Sequence, residues 1–132
     1  DGYILLKTGE PATPLTLELE MSEDVFYPGD TFVLWVDIAN PSGQQITFDE
    51  YILLDIFGEI WFWPRFLQLP ELDYETHTFL AGEVLLEQDA LVFEWPDVQS
   101  TVTGLYFYSM LFEPGTFNPL SSFAMVEFGW SW

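Results

Sequence analysis

The sequence predicts an all-β chain folded as a single antiparallel β-sandwich of seven to eight strands. Three observations carry this expectation. Apolar and polar residues alternate with a period of two along most of the chain, as in strands with one buried face. Turn residues recur at spacings of roughly 8–12 residues, as they do in sandwiches. No segment keeps the 3.6-residue period of an amphipathic helix.

Each element follows in order. Leu15, Leu17, Leu19 and Met21 alternate with Thr16, Glu18, Glu20 and Ser22, which predicts a half-buried strand. Tyr27-Pro28-Gly29-Asp30 is a turn, because proline presets φ and glycine accepts a positive one. Residues 31–40 then set Phe32, Leu34, Val36 and Ile38 on one face, and Pro41-Ser42-Gly43-Gln44 ends the strand. Residues 46–57 keep Ile46, Phe48, Ile52, Leu54 and Ile56 in phase, interrupted by Glu50. Gly58 permits a tight hairpin into residues 59–63, and Pro64 stops that strand because it has no N–H to donate. Residues 64–75 are irregular. Residues 76–80 read as a short edge strand, and 84–86 and 90–95 as two further segments. Residues 104–112 and 123–130 form the last two strands, separated by the Glu113-Pro114-Gly115 turn.

Composition narrows the function. The chain has 132 residues, with 22 Asp and Glu against 2 Lys and Arg and one His, a formal charge of -20. It is also 49% hydrophobic and 19% aromatic, which excludes a disordered acidic tail. Two cations exclude a nucleic-acid partner and an anionic membrane surface. No run of 18 apolar residues is present, so no membrane insertion through a helix is expected. Without cysteine, disulfides and thiolate metal sites drop out. One domain fits this length. The chain begins at Asp1 and not Met, from which we expect a removed export signal and a secreted or cell-surface location.

The run from Tyr27-Pro28-Gly29-Asp30 through Trp35 and Val36 to Asn40-Pro41 resembles the second-strand region of immunoglobulin-like modules in secreted bacterial and archaeal surface proteins. The Gly58 hairpin leading into Phe62-Trp63-Pro64 is similar to a variant of those modules. The resemblance implies an immunoglobulin-like sandwich with an extracellular structural or adhesive role, and it transfers no catalytic residues. The antibody-type cysteine pair is missing.

Several strands are apolar on both faces. Leu105, Phe107 and Leu111 back onto Tyr106, Tyr108, Met110 and Phe112, and Phe32 and Leu34 back onto Val33 and Trp35. A lone sandwich needs one buried face per sheet, so the surplus implies burial against a neighbour or beneath long loops. Residues 1–14 form an extended N-terminal strand and a Pro-containing spacer ahead of the sandwich at 15–132. Tyr3, Ile4, Leu5 and Leu6 are β-competent, and the spacer can hold them away from their own domain. Such a segment can add to the sheet edge of another copy, and head-to-tail addition yields a filament. The other outcome is an ordinary first strand paired within its own chain. The leading expectation is a non-enzymatic structural subunit whose partners are copies of itself.

The alternative is a carbohydrate-binding or adhesive module that meets cell-surface glycans. Trp35, Trp61, Trp63, Tyr106 and Tyr108 are its candidate interface or sugar-stacking aromatics. Glu23, Asp24 and Asp30 flank one turn and offer the hard oxygens of a calcium site, although no D-x-D-x-D-G loop is present. A solvated acidic surface explains them equally well. No other cofactor is expected. Glycoside hydrolysis needs paired carboxylates in a cleft, and the sequence carries no cleft signature. His77, between Thr76 and Thr78, lacks a nucleophile context and reads as a surface residue. Lys7 with Asn40 or Asn118 is the pairing an intramolecular isopeptide bond would need.

Overall fold

A computed structural model describes residues 13–132. Within them lie ten strands: β1 (Thr16–Met21), β2 (Val25–Phe26), β3 (Thr31–Ala39), β4 (Ile46–Ile56), β5 (Glu59–Phe62), β6 (Leu67–Gln68), β7 (Glu75–Phe79), β8 (Val84–Glu94), β9 (Val102–Phe112) and β10 (Ala124–Trp130). They make a three-stranded sheet, β1-β3-β8, and a larger sheet, β2-β10-β9-β4-β5-β6, with β7 also paired to β4. Pairing is antiparallel except between β2 and β10. This is the predicted all-β sandwich. No helix among the described residues is long and apolar enough to cross a membrane.

The core is where alternation placed it. Leu17 and Leu19 of β1, and Phe32, Leu34, Val36 and Ile38 of β3, are buried against Phe48, Ile52, Leu105, Phe107, Leu111 and Phe128 of the larger sheet. One end is aromatic. Phe32 lies 4.7 Å from both Phe26 and Phe93, ring centre to ring centre, and 5.7 Å from Trp95. The β4–β5 hairpin turns on Phe57 and Gly58, both at positive φ (51° and 90°), the pairing a two-residue hairpin with right-twisting strands requires. Asp55 Oδ1 accepts the Gly58 N–H at 2.8 Å. At the β9–β10 irregularity Gly129 is packed so closely on the Val102 carbonyl that a Cβ would collide with backbone.

The strand count departs from seven to eight for two reasons. β2 and β6 are two residues long, too short to show any period. Residues 84–86 and 90–95, read as separate segments, belong mainly to one continuous β8. Its register against β3 shifts twice, and Glu87 sits at φ 52°, so the hydrophobic alternation breaks where the strand does not.

Loops account for part of the expected apolar surplus. Outward-facing Tyr51 and Phe62 are buried beneath residues 64–75 and 113–123. Tyr51 stacks on Tyr74 at 4.9 Å and meets Phe112 edge-on at 5.4 Å. Arg65 pins the first loop through a two-pronged contact with Asp73, at 3.0 Å from Nε and 2.9 Å from Nη2. That contact holds the Asp73 carboxyl below its ordinary range. Tyr3, Ile4, Leu5, Leu6 and Lys7 lie outside the described residues.

Candidate interaction site

The sandwich is open along one seam. β8 is the last strand of the smaller sheet, and among the described residues nothing pairs with its outer edge. Leu85, Leu91 and Phe93 are the register partners of Ile38, Leu34 and Phe32, so they face the space between the sheets. Yet Leu85 is 36% and Phe93 38% exposed, where Ile38 and Phe32 are each 1% exposed. Between the Leu91–Trp95 end of this edge and the larger sheet lies an apolar cleft of about 110 Å³, lined by Leu91, Phe93 and Trp95 on one side and Leu54, Ile56 and Leu105 on the other. An unpaired edge beside uncovered core-facing side chains is a template for another strand. Sequence reading missed this edge because strand order, not local pattern, creates it.

The five candidate aromatics separate. Trp63 is a core residue whose indole Nε1 donates to the Ala90 carbonyl of the opposite sheet at 2.8 Å. Trp61 is half-buried, pairs with core-packed Leu54, and has a buried Nε1 without a partner among the described residues. The two therefore do not form an exposed platform. Trp35 is half-buried on the outer face of the smaller sheet, between Glu20 and Asp89. Tyr106 and Tyr108 do form a ladder, 5.8 Å apart and 8° from parallel, which Phe123 extends at 5.4 Å from Tyr108. Beside it lies an apolar groove of about 580 Å³ lined by Leu53, Leu69, Leu72, Met110, Phe117 and Phe123, among others.

The acids also divide. Asp30 is used locally, its Oδ2 accepting the Tyr27 N–H at 2.8 Å to close the predicted turn, while Glu23 and Asp24 are exposed. These three do not gather their oxygens around one point. Among the described residues, the metal-capable group of three whose donor atoms all lie within 4.8 Å of one another is Glu50, Glu75 and His77. Glu50, which interrupts the apolar phase of β4, is completely buried in phase with Phe48 and Ile52. His77 Nε2 lies 2.9 Å from Glu50 Oε1 and 3.3 Å from Glu75 Oε1. It is thus a half-buried partner and not a free surface residue. Asn40 is also buried, with its amide hydrogen-bonded to the carbonyls of Gln44, Phe79 and Leu80. Lys7, its suggested isopeptide partner, is not among the described residues.

The Glu50 hydrogen bond outweighs burial and raises the His77 pKa above its ordinary 6.5. A pKa raised by folding stabilises the fold fully below that ordinary value, and the contribution is lost as pH climbs through the folded-state value. The wild-type protein should therefore be more stable than His77→Gln at about pH 6, with the gap closing by about pH 9. Paired thermal melts in EDTA-containing buffer measure this. A gap that widens with pH would contradict the assignment.

No family model and no curated protein matches this chain. Solved structures do. The chain is similar to the CARDB domain of the PF1109 protein from Pyrococcus furiosus, in a crystal structure described as a complex with di-metal ions. That match has a TM-score of 0.55 and 15% identity, over 89% of this chain and 87% of the other. A solution NMR structure of the same domain matches with a TM-score of 0.51 and 17% identity, over 89% and 94% of the two chains. The fold is therefore an immunoglobulin-like β-sandwich module.

Proposed function

We propose that this chain is a non-enzymatic, secreted or cell-surface structural module that joins to copies of itself by β-strand addition. In this reading residues 3–6 of one copy lie along the outer edge of β8 in the next, and repetition makes a filament. The observation that carries it is the open seam beside β8, with its uncovered Leu85 and Phe93. In constant-type immunoglobulin sandwiches the corresponding sheet has four strands, where this one has three among the described residues. A donated strand would supply the fourth. Its alternate residues Ile4 and Leu6 would point into the cleft, and Lys7 would meet an edge carrying Glu83, Glu87, Asp89 and Glu94.

Sedimentation velocity of the intact chain, of a chain lacking residues 1–13, and of the Ile4→Asp/Leu6→Asp double variant tests this. The intact chain should polymerise, increasingly so as added NaCl screens the -20 charge on each copy. The other two should remain folded monomers. Unchanged assembly of the double variant would sink the donor-strand reading. Monomers in every case would sink it too, leaving Tyr106 and Tyr108 as the surface to challenge with soluble oligosaccharides.

A further inference from the structure

We propose that Glu50, Glu75 and His77 form a binding site for one divalent transition-metal ion of the zinc type. β4 and β7 build the site. Glu50 and Glu75 are directly opposed in the β4–β7 ladder, and His77 lies two residues along β7, hence on the same face as Glu75. Like charges in direct opposition destabilise a ladder unless something lies between them. Here one imidazole nitrogen faces both carboxylates, at 2.9 Å and 3.3 Å. A single N–H can be directed fully at only one of them.

Burial points the same way. Glu50 is completely buried, and its contact with His77 is made through Oε1. The Oε2 of Glu50 is itself buried and has no hydrogen-bond partner among the described residues. Arg65 is engaged by Asp73. A divalent ion gives the His77 nitrogen and both carboxyl groups a common partner. Donors on a tetrahedral ion with bonds of about 2.0–2.1 Å sit roughly 3.3–3.4 Å apart, which the His77–Glu75 spacing of 3.3 Å already matches, while the His77–Glu50 contact of 2.9 Å has to open slightly. An imidazole beside two carboxylates favours zinc or its neighbours over calcium and magnesium, which take oxygen. Glu75 and His77 are partly exposed, so an ion has a way in from solvent.

His77 is the chain's single histidine, so its imidazole NMR resonances report on this site alone. Zinc is titrated into the intact protein in physiological salt with excess magnesium, which occupies diffuse acidic sites. One equivalent should shift the His77 resonances and then saturate. His77→Gln and Glu75→Gln, checked for folding by circular dichroism, should each weaken zinc binding at least tenfold. Glu23→Gln should not. Unmoved His77 resonances at one equivalent of zinc, or equal affinity in His77→Gln, would overturn the site in favour of diffuse binding to the acidic surface.

Discussion

Phe32→Ala is expected to remove about 3–5 kcal/mol of stability, a large part of what holds a domain of this size folded. Phe32 is 1% exposed and touches five rings from four other segments: Phe26, Phe93, Trp95, Phe107 and Phe128, at centroid distances from 4.7 to 6.1 Å. Through it β2, β3, β8, β9 and β10 share one packing unit. Truncation loses the transfer energy of the ring and leaves a hole that these stiff neighbours fill poorly. Urea unfolding followed by tryptophan fluorescence should show a lower midpoint with an unchanged slope. Phe123→Ala is the control, because Phe123 is 56% exposed and belongs to the surface ladder. Equal losses in the two variants would mean that the aromatic end is not the cooperative core.

That core was legible because burial and alternation coincide along β1, β3 and β9. The hairpin at Gly58 was legible too, since a positive φ leaves a residue signature. Partners brought together by topology were not. Glu50 read as a flaw in an apolar face because its partner lies 27 residues further on, across a ladder that no local pattern announces. Trp61 and Trp63 are two apart, as a stacking platform would require, but spacing does not say which face looks outward. β4 changes neighbour along its length, from β7 at Glu50 to β5 at Leu53, and the Trp63 N–H closes on the Ile52 carbonyl at 2.9 Å in the gap. The ladder thus runs on past Phe62, and both tryptophans lie on the core side, Trp61 opposite Leu54 and Trp63 beside Ile52.

The same topology separates two kinds of apolar surface. Over the larger sheet, residues 64–75 and 113–123 cover Tyr51 and Phe62, so much of the surplus predicted there is satisfied within the chain. No loop among the described residues does this for the outer edge of β8. Its defences are the two register shifts and the acids Glu87 and Asp89, which discourage casual edge pairing. A donor strand carrying Lys7 is suited to that edge, whereas the acidic edge of a second copy is not.

Asn40→Ala is expected to cost about 3 kcal/mol, comparable to a large core truncation although the volume removed is small. Asn40 is completely buried where β3 ends. Its Nδ2 donates to Gln44 O at 2.8 Å and Leu80 O at 3.0 Å, with a longer approach to Phe79 O. Its Oδ1 accepts from the Ser42 N–H at 3.1 Å and the Ser42 hydroxyl at 2.7 Å. The main chain adds Asn40 N–H to Glu83 O and Gly82 N–H to Asn40 O, both at 2.8 Å. One side chain thus ties the end of β3 to the connection between β7 and β8. Asn40→Asp separates hydrogen bonding from packing, because it preserves the shape but turns an oxygen toward carbonyl oxygens that need a donor. The charged aspartate should therefore be worse than alanine at neutral pH. Repulsion raises its folded-state pKa, so the variant should recover toward wild type as pH falls through the carboxylate range and lose stability as pH rises. Chemical denaturation of the three proteins across that range decides the matter. An Asn40→Asp protein as stable as wild type at neutral pH would show that the amide's donors contribute nothing to this junction.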